Sequence, residues 1–427
     1  METTKQKAKW YGPKQIGMII FTGILMLLSA CFVGGQTNTV IPYLAGLRGW
    51  DSNTLTLFNG IACILDGAGI LIWARLSRKN AKLMAGIALI VMAICLVLFG
   101  FSTSLPVVLI VMLIMGLSSA CFSSTCAMTL TANWWPTKKG VVLGWSTMGI
   151  VLMSVVYAPY IPSAYNAIGV PMTQVWLAVL TVVIAIICFI FVKNTPEEAG
   201  TTPDGLTGVD LAQTKEITRQ LAEYKSPFTP KKIFSSWNNW AVSLCVGLPL
   251  MVAMTYISTT IPALLSYGYD YKQAVLVFTI GGIVALIGSW AFGMIDQKLG
   301  TKKAVILYII FVFVAIVCAL FMKSSFAFAW LSGIILFCAN GAGRNLLPSY
   351  VGTIYGRWDY PAAYQLMGTL FMMLCGAGVM VPAFFRGNYT AMYIFDLIVL
   401  VIAFILAITS KDKFIGKPDT AETGVEQ

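Results

Sequence analysis

The sequence predicts an all-α membrane protein of twelve transmembrane helices in two six-helix bundles related by a pseudo-twofold. Three observations carry this. Hydrophobic residues make up 58% of the 427-residue chain and charged ones 11%, against roughly 25% charge in soluble proteins. Apolar runs long enough to span the hydrocarbon core recur as six, a polar segment and six more. A stretch at 133–149, NWWPTKKGVVLGWSTMG, has a counterpart 219 positions on, GTIYGRWDYPAAYQLMG at 352–368, with Met148-Gly149 set against Met367-Gly368. In each, an apolar helix ends in aromatics, a short basic turn follows, and a helix restarts at the same point. Parallel repeats of this kind are a transporter plan.

The spans fall at about 16–44, 54–74, 82–101, 105–132, 140–163 and 172–192, then 238–265, 273–294, 303–322, 326–350, 360–385 and 389–410, each near the ~20 residues that a crossing helix needs. This divides the chain into an N-terminal bundle (1–192), a linker (193–237), a C-terminal bundle (238–412) and a tail (413–427). The first span has no small-residue cleavage site and runs on into GGQTNTVIPY, so it reads as retained. The linker reads as a solvated segment with room for a short amphipathic helix around 211–224.

Of the 28 Lys and Arg residues, 23 lie on the side of the termini and linker and 4 on the other, with Arg344 inside a span. The positive-inside rule expects both termini in the cytoplasm and the chain in the inner or plasma membrane. A net charge of +11 spread over short loops is a topology signal and excludes a nucleic-acid face. All ten cysteines lie in apolar runs and there is no histidine, so neither a disulfide framework nor a metal set is expected. Proton coupling would have to use carboxylates. No cofactor is expected, and an enzyme is disfavoured because no Ser/His pair, metal set or paired carboxylates exist at usable spacing. No phosphate-binding glycine loop suggests ATP drive.

Asp66, Arg344 and Asp396 are the charges that fall within spans. Each costs about 2.5–3.5 kcal/mol at mid-helix and needs a reason to be there. Arg344 follows Asn340-Gly341-Ala342-Gly343 and precedes Asn345. Two roles stay open for it: an organic-anion anchor, since a guanidinium presents a fork of donors to a carboxylate, or a structural ion pair or gate contact. Asp66 reads as a proton carrier, a partner for Arg344 or a packing hydrogen-bonder. Asp396 reads as an interfacial residue that snorkels or pairs with Arg386. Polar clusters in spans one, four, seven and ten suggest a cavity lined by Gln36, Asn38, Ser119, Ser123, Thr255, Tyr256, Thr259, Asn340, Arg344 and Asn345, with Trp145 and Tyr364 as stacking aromatics.

The chain resembles the major facilitator superfamily, and most of all its oxalate/formate antiporter and monocarboxylate porter branch. Gly49-Trp50, NWWPTKKG, NTPEEAG and GRNLLPSYVGTIYG carry the resemblance. GMIDQKLGTKKA is similar to the superfamily's Asp-basic-Gly-basic loop, with Asp296, Gly300, Lys302 and Lys303; the first-half loop WARLSRKNAKL keeps Arg75 and Arg78 but lacks the Asp and Gly. The resemblance implies the major facilitator fold, alternating access, and gating by these loops. Oxalate-type members use basic residues in spans eight and eleven; here 273–290 and 360–385 contain none. One buried arginine fits a monocarboxylate with an apolar or aromatic body. The expected function is secondary transport of a small organic anion by a monomer in the bilayer, as proton symport or anion exchange. The alternatives are an exporter of amphipathic or cationic compounds and a transporter-like sensor.

Overall fold

A computed structural model of the chain describes residues 11–136, 138–206 and 208–417. The described residues are helical, without strands, and form two six-helix bundles. Among the described residues eleven helices are long and apolar enough to cross a membrane, from Pro13–Gly34 through Tyr389–Thr409, and the shorter Val142–Val156 supplies the fifth of twelve spans. Their outward faces carry Ile, Leu, Val and Phe side chains, as contact with lipid requires.

Spans two, eight, ten and twelve, which start at the end away from the basic loops, are capped by side chains. Asp51 accepts from Thr54 N at 2.9 Å, Asp270 forms a capping box with Gln273, and Asn388 accepts from Ala391 N at 3.1 Å. Such caps satisfy the amides that a helix leaves open at its first turn. At the basic end the turns are tight. Gly300 (φ 85°) joins spans eight and nine, and Gly356 (φ 61°) joins ten and eleven, a region that side chains with a Cβ avoid. The first-half loop without the glycine turns instead through Asn80 in extended backbone (φ −158°), whose Oδ1 caps Leu83 N at 3.0 Å.

Glycines set the close helix approaches inside each bundle, and they do so on matching helix pairs. A Cβ on Gly149 of span five would overlap the Gly23 carbonyl of span one; one on Gly378 of span eleven would overlap the Met251 carbonyl of span seven. Gly116 of span four abuts Ala62 of span two, and Gly341 of span ten abuts Ala285 of span eight. Small residues drive association where lipid offers no hydrophobic drive between helices.

The linker is not solvated throughout. Its first part packs under the N-terminal bundle: Trp134 Nε1 donates to Lys193 O at 3.1 Å, Gln15 Nε2 to Thr201 Oγ1 at 2.8 Å, and Lys138 N to Asp204 Oδ1 at 3.2 Å. The helix Gly208–Glu223 follows, with Arg219 paired to Glu216 and Glu223. Its last part and the tail then meet on Asp359, 1% exposed, which accepts from Tyr224 OH at 3.1 Å, Ser226 Oγ at 2.6 Å and Lys417 N at 2.9 Å. Asp359 lies in the second copy of the repeated stretch, and Asp204 serves the first. Each basic turn is thus held by a buried carboxylate.

Introducing leucine at Gly149 or Gly341 is expected to cost about 1–3 kcal/mol by overpacking, read as a fall in apparent Tm in detergent. Gly144 has nothing within 4 Å of a Cβ position, so Gly144→Leu should leave Tm unchanged; equal effects at all three sites would contradict this packing.

Candidate functional site: a cavity between the bundles

A cavity of about 230 Å³ lies between the two bundles, lined by eight spans. Spans one, two, four and five form one wall and seven, eight, ten and eleven the other; spans three, six, nine and twelve contribute nothing. The expectation of a wall from one, four, seven and ten therefore covers half of it.

Two of the lining spans depart from α-helical winding at the cavity. Ala30–Gly34 and Ala120–Ala127 are π-helical, and Ala30, Val33, Ser123 and Ser124 on them face the space. Such bulges release backbone groups and recur at functional sites. Elsewhere the lining is largely apolar, with Met26, Met128, Met254 and Met372 beside Phe278, Phe337 and Phe371, and Tyr360 stacks on Tyr364 at 5.1 Å and 9°.

Arg344 and Asp66 both line the cavity, from opposite bundles. Arg344 Nη2 lies 3.8 Å from Cys375 Sγ. Among the described residues no carboxylate comes within 4.0 Å of its guanidinium; ion pairs there are confined to the linker. Asp66 has the Ser119 and Ser124 hydroxyls beside it, yet its Oδ1 is buried without a hydrogen-bond partner, as is Asn340 Oδ1. Asn345 lines the cavity and donates to Ser289 Oγ at 3.0 Å. The structure thus brings together Arg344, Asn340, Asn345, Ser123, Tyr364 and Asp66 of the sequence-predicted set.

The others lie elsewhere, for reasons of helical phase. On span five Leu143, Thr147, Ile150 and Ser154 face the cavity; Trp145 sits on the opposite side at 54% exposure, as 3.6 residues per turn dictate. On span seven Met254, Ile257 and Ser258 face inward, so Thr255, Tyr256 and Thr259 are turned into the C-terminal bundle. Thr255 donates to Gly378 O at 3.0 Å, Tyr256 OH meets Ser332 Oγ at 2.8 Å, and Thr259 bonds back to Thr255 O at 2.8 Å. Ser119 meets Ser29 Oγ at 2.6 Å, joining spans four and one, and Gln36 donates to Phe32 O within span one.

Asn38 belongs to the seam that joins the bundles at the end opposite the basic loops. Its Nδ2 donates to Ile257 O at 2.7 Å and its Oδ1 accepts from Ile261 N at 3.3 Å. Thr279 Oγ1 donates to Ser154 O at 3.2 Å across spans eight and five, and Gly60 abuts Met380 across two and eleven. At the basic end, Asp296 accepts from Ser349 Oγ at 2.5 Å, and Lys302 Nζ donates to Ile408 O at 3.0 Å and Ser410 O at 2.6 Å. These bonds tie the C-terminal bundle to itself. Lys303 is exposed, and the side chains of Arg75 and Arg78 lie outside the described residues. Asp396 is fully buried with neither oxygen hydrogen-bonded; it neither snorkels nor meets Arg386.

The family profile described as Major Facilitator Superfamily matches residues 20–379. The chain belongs to the major facilitator superfamily. No curated protein matches it. Its fold is similar to that of a bacterial homologue of the human lysosomal transporter Spinster in an inward-facing, occupied conformation (TM-score 0.68, 15% identity, covering 95% of this chain and 99% of that one). The same homologue inward-facing and unoccupied gives a TM-score of 0.61, with the same identity and coverage. As a member of this superfamily the protein is a multi-pass membrane transporter.

Sequence reasoning missed Tyr360, Cys63 and Cys375 in the wall. Tyr360 precedes Tyr364 by one helical turn within the repeated stretch, and that i,i+4 pairing was the available signal. The cysteines carried none. A small water-soluble thiol reagent is expected to modify Cys63 and Cys375 and to spare the buried Cys126 and Cys245, read by peptide mass spectrometry. Modification that persists unchanged in a Cys63→Ser/Cys375→Ser variant would contradict the cavity as described.

Proposed function

We propose that the protein moves a small organic anion, a monocarboxylate with an apolar or aromatic body, across the cytoplasmic membrane by alternating access. The observation that carries this is the Arg344 guanidinium in the cavity wall without a carboxylate against it. A charge at that depth is costly, and an anion entering the cavity supplies the missing partner through charge-assisted, forked hydrogen bonds. The methionine and aromatic lining suits an apolar body better than a second charge. This accords with the monocarboxylate side of the branch that the sequence resembles.

With the basic loops in the cytoplasm, the seam through Asn38, Ser154 and Gly60 closes the outer side and leaves the cavity to the inner one. The bundles then rock about the central site, and closure at the basic end has to follow release of the outer seam. Each chain holds a whole cavity, so a monomer suffices. Proton symport through Asp66 and anion exchange are both compatible with one carboxylate in the wall.

Asp66 in the same wall favours a second reading, export of amphipathic cations. A panel of organic acids and amines against the purified protein separates the two by thermal stabilisation. A ligand at 100 times its Kd stabilises by ~2.7 kcal/mol. Monocarboxylates are expected to raise the Tm of wild type but not of Arg344→Ala. Amines that stabilise both proteins equally, with no response to acids, would overturn the anion reading in favour of the exporter. Ligand-induced stabilisation without flux in liposomes would point to a sensor.

A further inference from the structure

Arg344 is one of two charged groups in the cavity wall, and the second is of opposite sign. Asp66 comes from span two of the N-terminal bundle and Arg344 from span ten of the C-terminal one. They are near neighbours without being a pair. Arg344 Nη2 lies 3.8 Å from Cys375 Sγ; next to Cys375, a Cβ on Gly376 would sit 2.5 Å from the Cys63 backbone; and Cys63 precedes Asp66 by three residues, on the same helix face. The two charges flank the contact between spans two and eleven. No described carboxylate is within 4.0 Å of Arg344, and Asp66 Oδ1 and Asn340 Oδ1 are buried acceptors without donors.

A ligand with only a carboxylate answers the guanidinium and leaves the Asp66 carboxylate in the same wall without a partner. An unpaired buried acceptor is costly, and a charged one more so. A ligand with only an ammonium answers Asp66 and leaves Arg344 alone. Resting on the proposed anion reading, we infer that the preferred substrate class is a zwitterion: an organic acid that also carries an ammonium group, on an apolar or aromatic body. Its carboxylate lies on Arg344, its ammonium lies on the Asp66 carboxylate, and its body rests among Met254, Phe371, Met372, Tyr360 and Tyr364. Because the charges sit on different bundles, such a ligand bridges the two halves at the point about which they rock.

The test measures binding to the full-length protein in nanodiscs with two matched series. One is phenylalanine, 3-phenylpropionate and phenethylamine; the other is 4-(aminomethyl)benzoate, 4-ethylbenzoate and 4-methylbenzylamine, with its charges farther apart. At least one zwitterion is expected to bind wild type more tightly than its matched acid and amine. Asp66→Asn should weaken that zwitterion by about tenfold or more, the scale of a charge-assisted hydrogen bond, and should not weaken the matched acid, whose retained binding also shows that the variant is folded. Arg344→Gln should weaken both. If the acid binds as well as the zwitterion and Asp66→Asn changes neither, the zwitterion assignment fails while the anion reading stands. If amines bind and Arg344→Gln changes nothing, the anion reading itself fails. Absence of binding by every zwitterion overturns the inference.

Discussion

A guanidinium held at membrane depth has to be solvated by something, and in this protein no described side chain of opposite charge touches it. Arg344 faces a cavity enclosed between two bundles that meet at the end opposite the basic loops and along spans two and eleven. Much of the architecture follows from keeping that arrangement open. Glycine-mediated contacts within each bundle bring spans one and five, two and four, and their second-half counterparts close enough to act as rigid bodies. The seam at the end opposite the basic loops, with Asn38 donating to and accepting from the span-seven backbone, fixes how the bodies lean. The linker and tail, anchored on Asp204 and Asp359, hold each basic turn to its own bundle.

The fold was legible in the chain because its physics is one-dimensional. Bilayer thickness sets the length of each span, loop charge sets the side, and a repeat 219 residues apart, at Met148-Gly149 and Met367-Gly368, betrays two halves. The site was legible in part: the two charges reach the wall together with Asn340, Asn345, Ser123 and Tyr364. Asp66 and Arg344 stood out because any formal charge in an apolar run demands an explanation, and both reach the cavity. Uncharged polar residues carry no such demand: in a membrane a threonine returns its hydroxyl to its own backbone, as Thr259 does, or pins a neighbouring helix, as Thr255 does. Which face of a helix turns to the cavity depends on packing partners far away in sequence, and this is why Trp145 and Tyr256 lie outside the wall while Tyr360 and Cys375 lie in it.

The carboxylates divide by the same logic. Asp359 and Asp204 fall outside the expected spans, yet each is buried where chain segments distant in sequence converge. Asp296, expected to act in a gate, serves a hydrogen bond inside one bundle. Asp396 is enclosed without a partner in span twelve, which has no part in the cavity wall, so burial of a charge does not by itself mark the site. What distinguishes Asp66 is that its unmet acceptor shares a cavity with an unmet donor.

Counterflow measures the central claim most directly. Proteoliposomes loaded with unlabelled 3-phenylpropionate would be diluted into a trace of the labelled anion, with wild type and Arg344→Gln side by side. The account predicts a transient overshoot of label with wild type and none with the variant. An equal overshoot in both would mean that the anion moves without the arginine, and the site would have to be sought elsewhere.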